Sequence, residues 1–155
     1  MLAQTKDCPS TDIIFVVDDS GSIGTPNFAR VKSFVSRLVG RFDIDSGHTR
    51  VGLVTYSTYV EAGFNLSDHT TNASIQSAIW RLGYAGGNTD TAAALAHVRT
   101  SMLTSAAGDR IIAPNVVIVL TDGESNNATA TKVSIRRILF AAETHSACKI
   151  INGII

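Results

Sequence analysis

Directly after the apolar run Ile13-Ile14-Phe15-Val16-Val17 come Asp18-Asp19-Ser20-Gly21-Ser22, the stretch whose residue types could do chemistry. The run is β-branched and reads as a buried strand, so a carboxylate and two hydroxyls arrive together at its carboxyl end. Open α/β sheets bind their ligands there. Two more stretches bring oxygen donors: Thr89 in Gly86-Gly87-Asn88-Thr89-Asp90-Thr91, and Asp122 in Leu120-Thr121-Asp122-Gly123. Asp18, Ser20, Ser22, Thr89 and Asp122 together make a candidate divalent-metal site. Every donor is an oxygen, with no Cys or His nearby, which selects a hard cation over zinc or copper. Mg²⁺ is the first candidate, with Mn²⁺ or Ca²⁺ as alternatives. Two carboxylates do not over-neutralise a dication, so an open coordination position would attract an acidic group from outside. Asp19 and Asp90 neighbour the proposed ligands and read as solvated loop carboxylates, with a deepened negative field at the site as the alternative.

The elements that must position these residues follow from periodicity. A first strand runs from Asp12 to Val17, and Thr25 with Pro26 reads as the N-cap and first residue of a helix. Phe28, Val31, Phe34, Val35, Leu38, Val39 and Phe42 give that helix one apolar stripe. Val51 to Tyr56 is a second buried strand. The break before Tyr59 to Phe64 is too short for a crossover helix, so those two strands pair antiparallel, as a hairpin with an edge strand. A helix with Ile75, Ile79 and Leu82 inward follows. Thr89 then opens a small-residue helix running towards Met102, and Asn115 to Leu120 is an uncharged strand. A polar loop leads to a helix containing Ile135, Ile138, Leu139 and Ala142, and Lys149 to Ile155 is a last strand. This alternation predicts an α/β fold: a Rossmann-like, doubly wound, mostly parallel sheet with one antiparallel edge strand and helices on both faces.

Composition bounds the function. The chain of 155 residues, 45% hydrophobic, is one domain with a sizeable core, divided into a short N-terminal extension (1–11) and the domain itself (12–155). Its 13 acidic and 13 basic side chains cancel, which argues against nucleic acid or an anionic membrane as partner. No apolar run is long enough for a membrane span. The first residues lack the apolar core of a signal peptide, so the start reads as a mature terminus or as that of a cytosolic protein. Cys8 and Cys148 flank the first and last strands. A bridge between them would close a very long loop, worth up to ~4–5 kcal/mol in the chain-entropy model; two free thiols, or a partner cysteine elsewhere in a longer chain, are the alternatives.

Asp18-x-Ser20-x-Ser22, Thr89 ahead of a helix, and Thr121-Asp122-Gly123 after a strand resemble the metal-ion-dependent adhesion site of the von Willebrand factor type A domain family. The similarity holds in order and spacing from about Asp12 to Ile155. It implies that Ser20, Ser22 and Thr89 bind the metal, that Asp18 and Asp122 hold it partly through water, and that a partner's Glu or Asp completes coordination. It also implies an adhesion module that is not an enzyme, set in secreted extracellular matrix or at cell contacts, with collagen as the first partner to consider. The loop after Asp122 is shorter than collagen-binding integrin domains need for their additional helix, so a matrix-protein type of domain fits better. An intracellular scaffold subunit in a metal-dependent assembly is the alternative, and a native bridge between Cys8 and Cys148 would favour secretion.

Enzyme motifs are missing from the same stretch. Gly21 and Gly24 do not make a dinucleotide fingerprint, no G-x-S-x-G elbow occurs, and an aspartyl phosphotransferase would place an acid where Ser20 stands. His48, His69, His97 and His145 are scattered and read as surface residues. Three sequons, beginning at Asn65, Asn72 and Asn127, permit secretion, and a glycan at Asn127 would crowd the metal face. The family's last helix would follow Lys149 to Ile155. If the chain ends at Ile155, the missing helix predicts an uncovered apolar strand that is covered by self-association or rearrangement.

Overall fold

The computed structural model describes residues 10–123, 125–143 and 148–154, the last of these and 138–143 by their backbone. A five-stranded sheet has the order β3-β2-β1-β4-β5. Its strands are β1 (Thr11–Asp18), β2 (Thr49–Tyr56), β3 (Val60–Phe64), β4 (Asn115–Thr121) and β5 (Cys148–Ile154). All neighbours run parallel except β3, which pairs antiparallel with β2 at the edge. The predicted hairpin is therefore present. Its ladder slips between Val54 and Tyr56, where the Thr55 hydroxyl donates to the Ala62 carbonyl at 3.2 Å.

Because β1 lies between two parallel partners, both of its faces must be covered, and its residues alternate between two cores. Ile13, Phe15 and Val17 join Phe28, Val31, Val35 and Val39 of α1 (Gly24–Val39) and Ile75, Ala78 and Ile79 of α2 (Asn72–Arg81). Ile14 and Val16 face the other way, onto Ala94 and Leu95 of α3 (Thr91–His97), Val98 and Met102 of the π-helical turn that continues it, and Ile135 of α4 (Ala128–Glu143). Full burial of each large apolar side chain is worth roughly 1.5–3 kcal/mol. Two continuous cores on opposite faces therefore hold the strand from both sides.

Local starts differ from the sequence reading in instructive ways. Helix α1 begins at Gly24 with no side-chain cap, so Thr25 sits in its first turn instead of capping it. Phe34 of the expected apolar stripe is 53% exposed, being off the face that Val31 and Val35 bury. Helix α2 does have a capping box, with Thr71 and Ser74 exchanging side-chain and backbone bonds. Helix α3 starts at Thr91 with Asp90 as its cap, two residues later than the expected opening at Thr89. Cys8, the residues beyond β5 and the side chains of β5 lie outside the described residues, as do the expected bridge and the expected uncovered face.

Candidate metal centre

The strand order reverses between β1 and β4, and both strands end at the same edge. In an open α/β sheet that crevice is where ligands bind. In-register pairing from Asp12↔Asn115 to Val17↔Leu120 sets the height of the two strand ends, so Asp18 and Asp122 emerge together. The Ser22 hydroxyl donates to Asp122 Oδ1 at 3.1 Å, and the Ser20 and Ser22 hydroxyls lie 3.3 Å apart. Oxygens that share a small six-coordinate cation at ~2.1 Å stand about 3.0 Å from their neighbours, so this row has the spacing of adjoining ligands.

Asp18 is fully buried, and both its oxygens are engaged. Oδ1 accepts from the Ser20 amide at 2.9 Å, and Oδ2 accepts from the Thr121 hydroxyl at 2.7 Å. Charge-assisted bonds of this kind fix the carboxylate and, through the Ser20 amide, the turn that carries both serines. Thr89 is held on a neighbouring loop, where its carbonyl accepts from the Asn126 amide at 3.0 Å. The direct contacts thus join Ser20, Ser22 and Asp122, tie Asp18 in through Ser20, and set Thr89 against the segment that follows Asp122.

Backbone bonds hold these loops together. Gly21 donates to the Gly87 carbonyl at 2.8 Å, Gly86 to the Asp19 carbonyl at 2.9 Å, and Asp90 to the Ser57 carbonyl at 2.8 Å. Gly87 has φ +106°, and a Cβ there would lie 2.7 Å from Thr58 Oγ1, so only glycine fits without strain. The Tyr84 hydroxyl donates to the Ser20 carbonyl at 3.0 Å. Tyr56 shares a buried bond of 3.1 Å with Thr91; burial first, then the charges of Asp18 and Asp122, pushes its phenol up to about 12. Thr121, Tyr84 and Tyr56 support the site, and the sequence reading gave them no part. Thr121 stood inside the strand-Thr-Asp-Gly motif, but the two tyrosines carried no local signal.

Asp19 and Asp90 correct the sequence reading. Asp90 is a helix cap whose Oδ1 accepts from the Ala93 amide at 3.0 Å. Asp19 is 1% exposed, and neither of its carboxylate oxygens has a partner at hydrogen-bonding geometry among the described residues. Burial, with smaller contributions from Glu61 and Asp18, pushes its carboxyl up to about 6 against the lowering influence of the Ala85 amide. The donor set fits a hard cation: neutral hydroxyls beside carboxylates, with one buried acid that lacks a counter-charge among the described residues.

The von Willebrand factor type A domain model matches residues 12–143. The chain is 37% identical over 114 residues to von Willebrand factor A domain-containing protein 2 of Mus musculus, covering 74% of this chain and 14% of that protein. It is 38% identical over 128 residues to the collagen alpha-1(XX) chain of Homo sapiens, covering 83% and 10%. The chain thus spans a small part of each relative's length. Among solved structures, proximal thread matrix protein 1 from the mussel byssus superposes with a TM-score of 0.83 at 28% identity, covering 93% of this chain and 37% of that one. One structure of that protein has a zinc-occupied MIDAS motif.

Proposed function

Since this chain belongs to the von Willebrand factor type A domain family, we propose that it is a metal-dependent protein-binding module. The observation that carries the proposal is the row Ser20–Ser22–Asp122, braced from beneath by fully buried Asp18. Ser20, Ser22 and Thr89 would hold the cation through their hydroxyls, and Asp18 and Asp122 through their carboxylates or through water. When bound, the cation supplies a Lewis-acidic position for an acidic side chain of a protein partner. The protein's own part is to keep that position open and oriented: buried bonds immobilise Asp18, and Tyr84 and Gly87 anchor the serine turn.

Mg²⁺ is the cation we assign, because all donors are oxygens and Asp19 adds negative field without offering a soft ligand. The setting is secreted extracellular matrix, as suggested by similarity to collagen chains, and collagen is the first partner to test. No catalytic constellation accompanies the site among the described residues, and the role is binding. Immobilised domain should retain partner proteins from a matrix extract in Mg²⁺ and release them in EDTA. Retention unchanged by EDTA or by Asp122→Ala would remove the proposal. Thr89→Ala isolates the hydroxyl ligand, and parental Mg²⁺ affinity in that variant would strike Thr89 from the ligand set.

A further inference from the structure

We infer that Asn127 is the acceptor of an N-linked glycan and that Asn72 is excluded as one. The inference rests on the secreted setting proposed above. All three sequons carry the required Asn-x-Ser/Thr pattern, so sequence alone does not separate them. Their surroundings do.

In glycan transfer, Asn Nδ2 bonds to C1 of a sugar carried on a polyisoprenyl diphosphate. The C1–O bond breaks, the diphosphate leaves with the electron pair, and Nδ2 loses one proton. The finished protein must then fold with Nδ2 substituted and pointing to solvent, while Oδ1 keeps its acceptor role. Asn127 meets both conditions. Asn127, Ala128 and Thr129 are all exposed; Oδ1 of Asn127 accepts from the Ala130 amide at 2.9 Å, capping α4, and Nδ2 bonds none of the described residues. The cap and the glycan therefore use different atoms of one side chain.

Asn72 fails both conditions. Its Nδ2 donates to the Phe42 carbonyl at 3.2 Å, its Oδ1 is buried, and its backbone amide is tied to Asp45 at 2.9 Å. A sugar on Nδ2 would break the link between the start of α2 and the end of the α1 segment. The third residue of that sequon, Ser74, is committed to the capping box. Asn65 is intermediate, half-buried beside Leu66 in the core.

The position of Asn127 gives the modification a consequence. The adjacent Asn126 amide bonds the Thr89 carbonyl, so the glycan would be rooted at the α4 side of the metal centre.

The test is to export the whole chain from mammalian cells behind a secretory leader. A glycan-releasing amidase, which turns an occupied Asn into aspartate, is then read site by site by mass spectrometry. The expected result is conversion of Asn127 and none of Asn72. Thr129→Ala should abolish conversion at Asn127 and leave the near-UV circular dichroism unchanged, since the Oδ1 cap is intact. An unconverted Asn127, or a converted Asn72, in the folded secreted protein overturns the inference. Because the leader forces export, that failure would not bear on metal binding, which Mg²⁺ titration of the same protein reads independently.

Discussion

Asp18 has no exposed surface and takes hydrogen bonds on both oxygens, whereas Asp122 is partly exposed and accepts from Ser22. Mutation should separate them. Asp122→Ala is expected to abolish Mg²⁺ binding by calorimetry and to leave the urea midpoint of the metal-free domain nearly unchanged. Asp18→Ala should abolish binding too, and also lower stability by about 1–3 kcal/mol, because it leaves the Ser20 amide unpaired and the Thr121 hydroxyl with its contacts to Gly123 alone. Asp19 behaves in the opposite sense. Its carboxyl rises from 3.8 to about 6 on folding, so the native state holds more protons than the unfolded state between those values. Stability in EDTA should therefore rise as pH falls from 7 towards 4, by roughly 3 kcal/mol at most for this group. Asp19→Asn should remove that slope and raise stability at pH 7; a flat or inverted difference between urea curves at pH 7.5 and 5 would refute the assignment. The candidate ligands were legible because hydroxyl and acid alternate along a short, distinctive stretch. Asp19 was not, since sequence does not reveal which loop carboxylate another loop will cover.

Between the residues and the fold stand the elements, and here turn geometry decides. The strand-helix alternation, the edge hairpin and the two-faced burial of β1 were readable from runs of apolar residues, whose period depends only on backbone geometry. Helix starts were less so: Thr25 with Pro26 looks like a cap, yet α1 begins at Gly24, whereas the Asp90 cap was hidden beside the more conspicuous Thr89. Gly87 is the element-scale counterpart of the ligands, since it lets the loop before α3 meet Gly21. Gly87→Ala is expected to cost about 1–3 kcal/mol through strain at positive φ. The contact with Thr58 adds to that, and relieving it shifts the Gly87 carbonyl that accepts from Gly21, so Mg²⁺ affinity should fall while every proposed ligand residue is kept. Parental affinity with reduced stability would mean that the loop contact does not orient the serines.

On the scale of the whole molecule, the two ends of the sheet do different work. At the end away from the metal centre, Arg110 closes on fully buried Asp12 through its backbone amide at 2.8 Å and its guanidinium at 2.6 and 2.8 Å, and also reaches the carbonyls of Gly47 and His48. Removing one partner strands a buried charge, and Arg110→Ala should cost about 3–5 kcal/mol. Asp12 and Asp18 stand six positions apart along β1, ~20 Å of strand, so Mg²⁺ affinity of the folded variant should be unchanged and saturating Mg²⁺ should recover part of the lost stability. A change in affinity would show that the two ends are coupled. Nothing in the sequence marks Arg110 and Asp12 as a pair, because they stand 98 positions apart and their meeting depends on the register of β4 against β1. The stitching at the other end has a different kind of reach. Gly21 to Gly87, Gly86 to Asp19, Asp90 to Ser57 and Asn126 to Thr89 are all amide-to-carbonyl bonds, which any side chain tolerates where the backbone angles permit. Exposed neighbours such as Asn88 and Asn126 can therefore be exchanged around an unchanged frame for the candidate site. A lineage of such domains can change the partner it recognises by repainting a surface, without rebuilding the chemistry beneath.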